Sequence, residues 1–197
     1  MNRALLVIDV QESFRQRPTW AAVSNPAIAA QVNRLVEHAR AEGDLVVWVL
    51  HAEPGSGTPF DPAGGHVRLM DDVTAPLPGE PTVTKTSINA FTTTDLQRLL
   101  TLRGIRELTV CGIQTELCCE TTTRVAADLG FEVSFAIDAT ATFPIPHRDA
   151  PAGRTVAEIL ADPATLQVED IISRTEYALA GRFATIRTVA ELTKTAG

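Results

Sequence analysis

Residues 110 to 122 read Val110-Cys-Gly-Ile-Gln-Thr-Glu-Leu-Cys-Cys-Glu-Thr-Thr122. A run of β-formers (Leu108, Val110, Ile113) stops at a polar turn, and a helical pattern (Leu117, Thr121, Val125, Leu129) begins at once. A strand therefore passes directly into a helix. Thr115 is the predicted N-cap, which puts Cys118 in the first helical turn, where unbonded N–H groups and the positive end of the helix dipole favour a thiolate. The competing reading of Cys118 is a small apolar residue buried for packing. Two other residues bear on that choice. Asp9 ends the apolar run Ala4-Leu-Leu-Val-Ile-Asp9, and Lys85 follows the β-rich run Thr82-Val-Thr84. An acid, a base and a thiol thus each follow a strand.

Outward from this stretch the chain alternates. Ala4 to Val10 is a nearly continuous apolar run, as a strand buried on both faces requires. Its Asp9 is either a capping or turn residue or a functional acid at the carboxyl edge of the sheet. Gln11 to Trp20 is an irregular segment whose Phe14 and Trp20 could wall a pocket. Pro26 to Glu42 carries a helical stripe (Ile28, Val32, Leu35, Val36, Ala39) closed by Gly43. Leu45 to Leu50 is the second buried strand. His51 ends it, either as a satisfied polar residue or as a substrate contact. Residues 52 to 81 are rich in Gly and Pro and read as one long functional loop.

Thr92 to Asp95 supplies capping material for a helix over Leu96, Leu99, Leu100 and Leu102. Strand four spans Glu107 to Ile113, the next helix Glu116 to Leu129, and strand five Phe131 to Ile137. Past Asp138 come a loop with Pro144, Pro146 and His147, helices over Ala152 to Ala161 and Gln167 to Ala180, a short strand at Phe183 to Arg187 and a helical turn at Val189 to Leu192. Strands and helices alternating through short connections predict a parallel three-layer α/β/α sheet. In such sheets ligands bind where strand order reverses, between strands one and four, which would bring Asp9 near Cys118. Lys85 is less well placed by that argument.

The 197 residues suit one α/β domain. With 17 basic against 24 acidic residues the net charge is −7, which argues against nucleic acid or an anionic membrane as partner. No stretch of 18 apolar residues occurs and Met1-Asn-Arg opens straight into a strand, so a cytoplasmic location is expected. Three cysteines packed into nine positions (Cys111, Cys118, Cys119) make a poor disulfide framework and are expected as thiols. The four histidines show no metal-ligand spacing, so neither metal nor other cofactor is expected.

G-I-Q-T-E-L-C-C at 112 to 119, Asp9 in L-L-V-I-D-V-Q and Lys85 in T-V-T-K-T-S-I-N-A-F together resemble the isochorismatase-like cysteine hydrolase family. The resemblance runs over about residues 3 to 140. It implies a six-stranded parallel sheet of Rossmann-like order 321456 and an Asp9-Lys85-Cys118 triad. It also implies a cis peptide at Ile113–Gln114 and an oxyanion hole from the N–H groups of Gln114 and Cys118. Nicotinamidases of this family hold a metal with an Asp-x-His element and further histidines. Val49-Leu50-His51 lacks that aspartate, so metal and nicotinamide are not expected. True isochorismatases lack the cysteine at this place, so Cys118 favours acyl chemistry over vinyl-ether hydrolysis.

The resulting expectation is a small-molecule hydrolase cleaving a C–N bond of an amide, carbamoyl or ureido compound through a Cys118 thioester. Gln11, Phe14, Trp20, His51 and Phe91 are the candidate pocket residues, and the resemblance implies a homodimer or homotetramer. The alternatives are a catalytically silent binding or scaffold protein and a vinyl-ether hydrolase. A redox role for adjacent Cys118 and Cys119 is disfavoured, because neighbouring cysteines form strained disulfides.

Overall fold

The computed structural model describes residues 2 to 194. Six strands, β1 (Arg3–Ile8), β2 (Leu45–His51), β3 (Thr82–Lys85), β4 (Glu107–Ile113), β5 (Glu132–Ala141) and β6 (Thr185–Arg187), form one sheet of order β3-β2-β1-β4-β5-β6. Every neighbouring pair is parallel. The helices are α1 (Glu12–Arg15), α2 (Ile28–Ala41), α3 (Leu96–Leu102), α4 (Glu120–Asp128), α5 (Val156–Ala161), α6 (Val168–Leu179) and α7 (Val189–Leu192).

Successive strand residues point to opposite faces, and both faces are covered. Leu5, Val7, Val46 and Trp48 pack with Ile28, Val32, Leu35 and Val36 of α2 and Val189 of α7. Leu6, Ile8, Val47, Val49, Leu108 and Val110 pack with Leu96 and Leu100 of α3, Ala126 of α4 and Leu179 of α6. Two apolar layers on one sheet explain why the central strands read as continuous rather than alternating hydrophobic runs. The order steps outward one way from β1 to β3 and the other way from β4 to β6. The crevice of the fold therefore opens at the carboxyl ends of β1 and β4.

The last strand begins at Thr185 rather than Phe183, and three further boundaries differ from expectation. The first strand stops at Ile8, because Asp9 adopts φ +52° and turns the chain out of the sheet. Aspartate tolerates this left-handed conformation better than most residues. β5 continues to Ala141 rather than ending at Ile137, after a break in register in which Val110 pairs with Phe135 and Gly112 with Thr140. The Thr140 hydroxyl donates to the Ile137 carbonyl across that irregularity at 2.9 Å. The helix expected from Ala152 begins only at Val156, where Thr155 and Glu158 cap each other's backbone N–H groups.

Gly112 is required where it stands. Its φ is +128°, and a Cβ there would overlap the Ile8 backbone, so only glycine lets β4 lie this close to β1 beside Asp9.

The 52 to 81 loop is pinned at several points. Gln11 bridges Leu69, and the Glu12 N–H donates to the Arg68 carbonyl at 2.9 Å, laying the loop across the end of β1. Its return is fixed by Glu80, whose carboxylate accepts from Arg40 Nε (2.7 Å), Trp48 Nε1 (2.9 Å) and the Leu77 N–H (2.9 Å).

Candidate active site

Asp9 sits one residue past β1, held by its N–H donating to the Val49 carbonyl at 2.9 Å. Lys85 is the last residue of β3 and pairs in register with His51, the last residue of β2. Its stem reaches across the ends of the neighbouring strands. Lys85 Nζ lies 2.7 Å from Asp9 Oδ2, 3.3 Å from Cys118 Sγ and 3.3 Å from His51 Nδ1. Asp9 and Lys85 are wholly buried and Cys118 is 6% exposed, so of the three only Cys118 touches solvent. Apart from the ion pair with Lys85, the two Asp9 oxygens have no hydrogen-bond partner among the described residues.

Cys118 does not open a capped α-helix as expected. Thr115–Cys119 is a π-helical turn that runs into α4, and Gln114, at its N-cap, makes no side-chain capping bond. The Gln114 carbonyl accepts from the N–H groups of Leu117 (3.3 Å) and Cys119 (3.0 Å). Thr115, instead of capping, donates from its hydroxyl to Thr140 Oγ1 at 2.9 Å and ties the turn to the irregular stretch of β5. The Ile113–Gln114 peptide joining β4 to this turn is cis.

The surroundings of Cys118 oppose the expected thiolate. Burial and the Asp9 carboxylate push the Cys118 thiol up, against the pull of Lys85, to about 12. Burial likewise raises Asp9 above the usual carboxylate range despite the opposing Lys85. Cys111 and Cys119 are fully buried and are raised by burial as well.

The candidate pocket residues separate. Only His51 reaches the triad. Gln11 is buried and brackets the His51 backbone, accepting from its N–H at 2.7 Å and donating to its carbonyl at 3.0 Å. Phe14 is a core residue, edge-on to Phe60 at 4.9 Å and stacked on Phe143 at 5.9 Å, and it approaches His51 only through Phe60. Trp20 lies half-buried outside Phe143, under the Arg15 guanidinium. Phe91 stacks on Phe131 in the layer beneath α3. A hollow of about 490 Å³ lies at the opposite, amino-terminal edge of β1, β4 and β5 and holds none of the triad.

The isochorismatase domain family matches residues 3–167. The chain belongs to the isochorismatase family. These are α/β hydrolases. The family's streptothricin hydrolase from Streptomyces noursei is 34% identical over 184 residues, 92% of this chain and 71% of that protein. Ureidoacrylate amidohydrolase RutB from Enterobacter sp. (strain 638) is 29% identical over 158 residues, 62% of this chain and 68% of that protein. An isochorismatase hydrolase structure from Oleispira antarctica superposes with a TM-score of 0.81 at 29% identity, covering 98% of this chain and 96% of that one.

The residues do not fit the metal that nicotinamidases of the isochorismatase family hold. His51 Nδ1 faces Lys85 and Nε2 lies 3.4 Å from Glu53 Oε1, leaving neither nitrogen open. Valine occupies position 49, and no group of three or more His, Cys, Asp or Glu side chains converges among the described residues.

Two neighbours of the site went unread in the sequence. Glu53 was visible in principle, since His51 and Glu53 are two apart in extended chain and share a side. Phe60, edge-on to His51 at 5.7 Å, came from the middle of an unpatterned loop and gave no such signal.

Proposed function

We propose that this chain is a cysteine-dependent amidohydrolase that cleaves the C–N bond of a small amide, carbamoyl or ureido compound. The observation that carries the reading is the buried contact of Asp9, Lys85 and Cys118, in which a carboxylate with unused acceptor capacity and the cysteine sulfur share one ammonium. A buried carboxylate whose only partner is one ammonium is costly for structure alone and suited to proton transfer. The amidohydrolase named among the relatives supports the bond type.

The chemistry follows from the resting protonation states. As the Cys118 sulfur attacks the substrate carbonyl, its proton passes to the Asp9 carboxylate. Backbone N–H groups of Gln114 and Cys118 would hold the oxyanion. The tetrahedral intermediate collapses, Asp9 hands the proton to the departing nitrogen, and ammonia or an amine leaves from a thioester. Water then attacks the thioester while Asp9 takes its proton. Collapse of the second intermediate releases the acid, and the proton returns from Asp9 to the sulfur. Lys85 remains an ammonium throughout, stabilising negative charge as it moves between sulfur and carboxylate.

The direct test is an ammonia-release screen over small amides, carbamoyl and ureido compounds with Cys118→Ala as control. Turnover that survives in the control, or silence across all three classes, would remove the reading.

A further inference from the structure

The Lys85 ammonium has three N–H donors and accepts nothing. Three acceptors surround it: Asp9 Oδ2 at 2.7 Å, Cys118 Sγ at 3.3 Å and His51 Nδ1 at 3.3 Å. The first two belong to the proposed reaction. The third does not, and it is the one contact of the ammonium that the mechanism leaves unused.

The contact dictates the state of the ring. A nitrogen facing an ammonium can only accept, so the His51 proton must sit on Nε2. Nε2 in turn lies 3.4 Å from Glu53 Oε1, an acceptor suited to that proton. Glu53 is itself fixed, because its second oxygen accepts from the Thr58 hydroxyl at 3.0 Å and its N–H donates to the Phe60 carbonyl at 2.8 Å. The ring cannot easily turn away. Both backbone groups of His51 are bonded to the Gln11 amide, and the Phe60 ring stands against the imidazole at 5.7 Å. A positively charged imidazole here would face the ammonium with no proton acceptor between them.

We propose that His51 is a positioning residue for Lys85: its neutral ring, held as the Nε2–H tautomer by Glu53, takes one N–H of the ammonium and so aims the other two at Asp9 and Cys118. This rests on the reading of Lys85 given under the proposed function. Without an acceptor at Nδ1, the buried ammonium carries an unsatisfied donor and swings to find another partner, which loosens its hold on the sulfur.

Two substitutions separate positioning from mere filling. His51→Asn places an amide oxygen near the position of Nδ1, whereas His51→Leu offers similar bulk and no acceptor. The readout is the rate of Cys118 alkylation by iodoacetamide at one fixed pH, followed by peptide mass spectrometry, alongside nitrogen-15 NMR of the histidine-labelled wild-type protein. His51→Leu is expected to slow alkylation by roughly tenfold, as loss of one hydrogen bond to a charged group implies. His51→Asn is expected to recover most of that loss, and the wild-type His51 resonances are expected to show a bare Nδ1. An Nδ1–H tautomer in the wild-type protein overturns the proposal by itself, even if His51→Leu fails to fold. Equal rates for the two variants, or a rate in His51→Leu that is unchanged or faster, also overturn it. None of these measurements uses turnover, so silence in the amide screen would count against the proposed reaction and leave this result standing.

Discussion

Replacing Lys85 by methionine keeps an unbranched stem of similar bulk and deletes only the ammonium. Asp9, wholly buried, is then left with no partner for either oxygen among the described residues. Two unit charges 2.7 Å apart attract by about 6 kcal/mol at an effective dielectric of about 20, and desolvation of both ions takes back several kcal/mol. Deleting one partner of such a buried pair destabilises a protein by about 3–5 kcal/mol, a large share of the roughly 5–15 kcal/mol that folds a domain. Asp9 can escape part of this by taking up a proton.

That escape sets the pH dependence. Burial already raises the Asp9 carboxyl above its ordinary value, and removing Lys85 removes the main opposing influence, so it rises further. A group whose folded pKa is raised favours the folded state below its unfolded pKa and loses that contribution as pH rises through the folded value. Lys85→Met should therefore be least harmful in acid and progressively more harmful toward neutral and alkaline pH. Adding Asp9→Asn removes the buried charge and should return roughly 1–3 kcal/mol of coupling. Urea unfolding of wild type, both single variants and the double variant across a pH series reads all of this. A pH-independent loss under about 1 kcal/mol in Lys85→Met, or a double variant no more stable than Lys85→Met, would refute the buried charge pair.

Asp9→Asn alone leaves the buried Lys85 ammonium without its charged partner and should lower stability, and in the fraction that unfolding curves show to be folded it should lower ammonia release by at least roughly 10²-fold, since the amide cannot carry the proton; near-normal release would exclude Asp9 as the acid–base group. Iodoacetamide should label Cys118 ahead of Cys111 and Cys119, both 0% exposed, and its rate should still be climbing at strongly alkaline pH because the thiol is pushed up to about 12. A plateau near neutrality would contradict that state. Glu80→Ala should cost about 1–3 kcal/mol and alter Trp48 fluorescence, since it leaves Arg40 Nε and the Trp48 indole without their acceptor. Burial raises the Glu80 carboxyl, but Arg40, the Leu77 N–H and the Trp48 indole outweigh it and lower it overall. Its contribution should thus be present above the usual carboxylate range and fade as pH falls through the lowered value, a fading that Glu80→Ala should lack. We also propose a homodimer or homotetramer, which light scattering at micromolar concentration would remove by giving the monomer mass.

The parts of this molecule that were legible in the sequence are those set by local pattern. Leu5 to Ile8, Val46 to Val49 and Leu108 to Val110 had to be central strands, because only a sheet covered on both faces uses such runs, and covered parallel strands fix the carboxyl edge as the site. Lys85 was harder. Its strand lies two places from β1, and at about 4.8 Å per strand only the reach of the side chain, which residue type alone does not aim, decides whether it arrives. The placement of the pocket candidates was out of reach for a related reason: turns after Asp9 and the overlying 52 to 81 loop bury Phe14 in the core and spend the Gln11 amide on the His51 backbone. The charge state of Cys118 was the furthest from reach. A helix-start cysteine invites a thiolate, yet the helix here opens as a π turn and the sulfur shares its buried site with Asp9, whose charge disfavours a second anion. Burial and Asp9 both push the thiol up, and in the reaction proposed here the nucleophile forms as its proton reaches Asp9. In the proposed reaction, activation of the sulfur and loading of the acid that expels the amine are therefore one event.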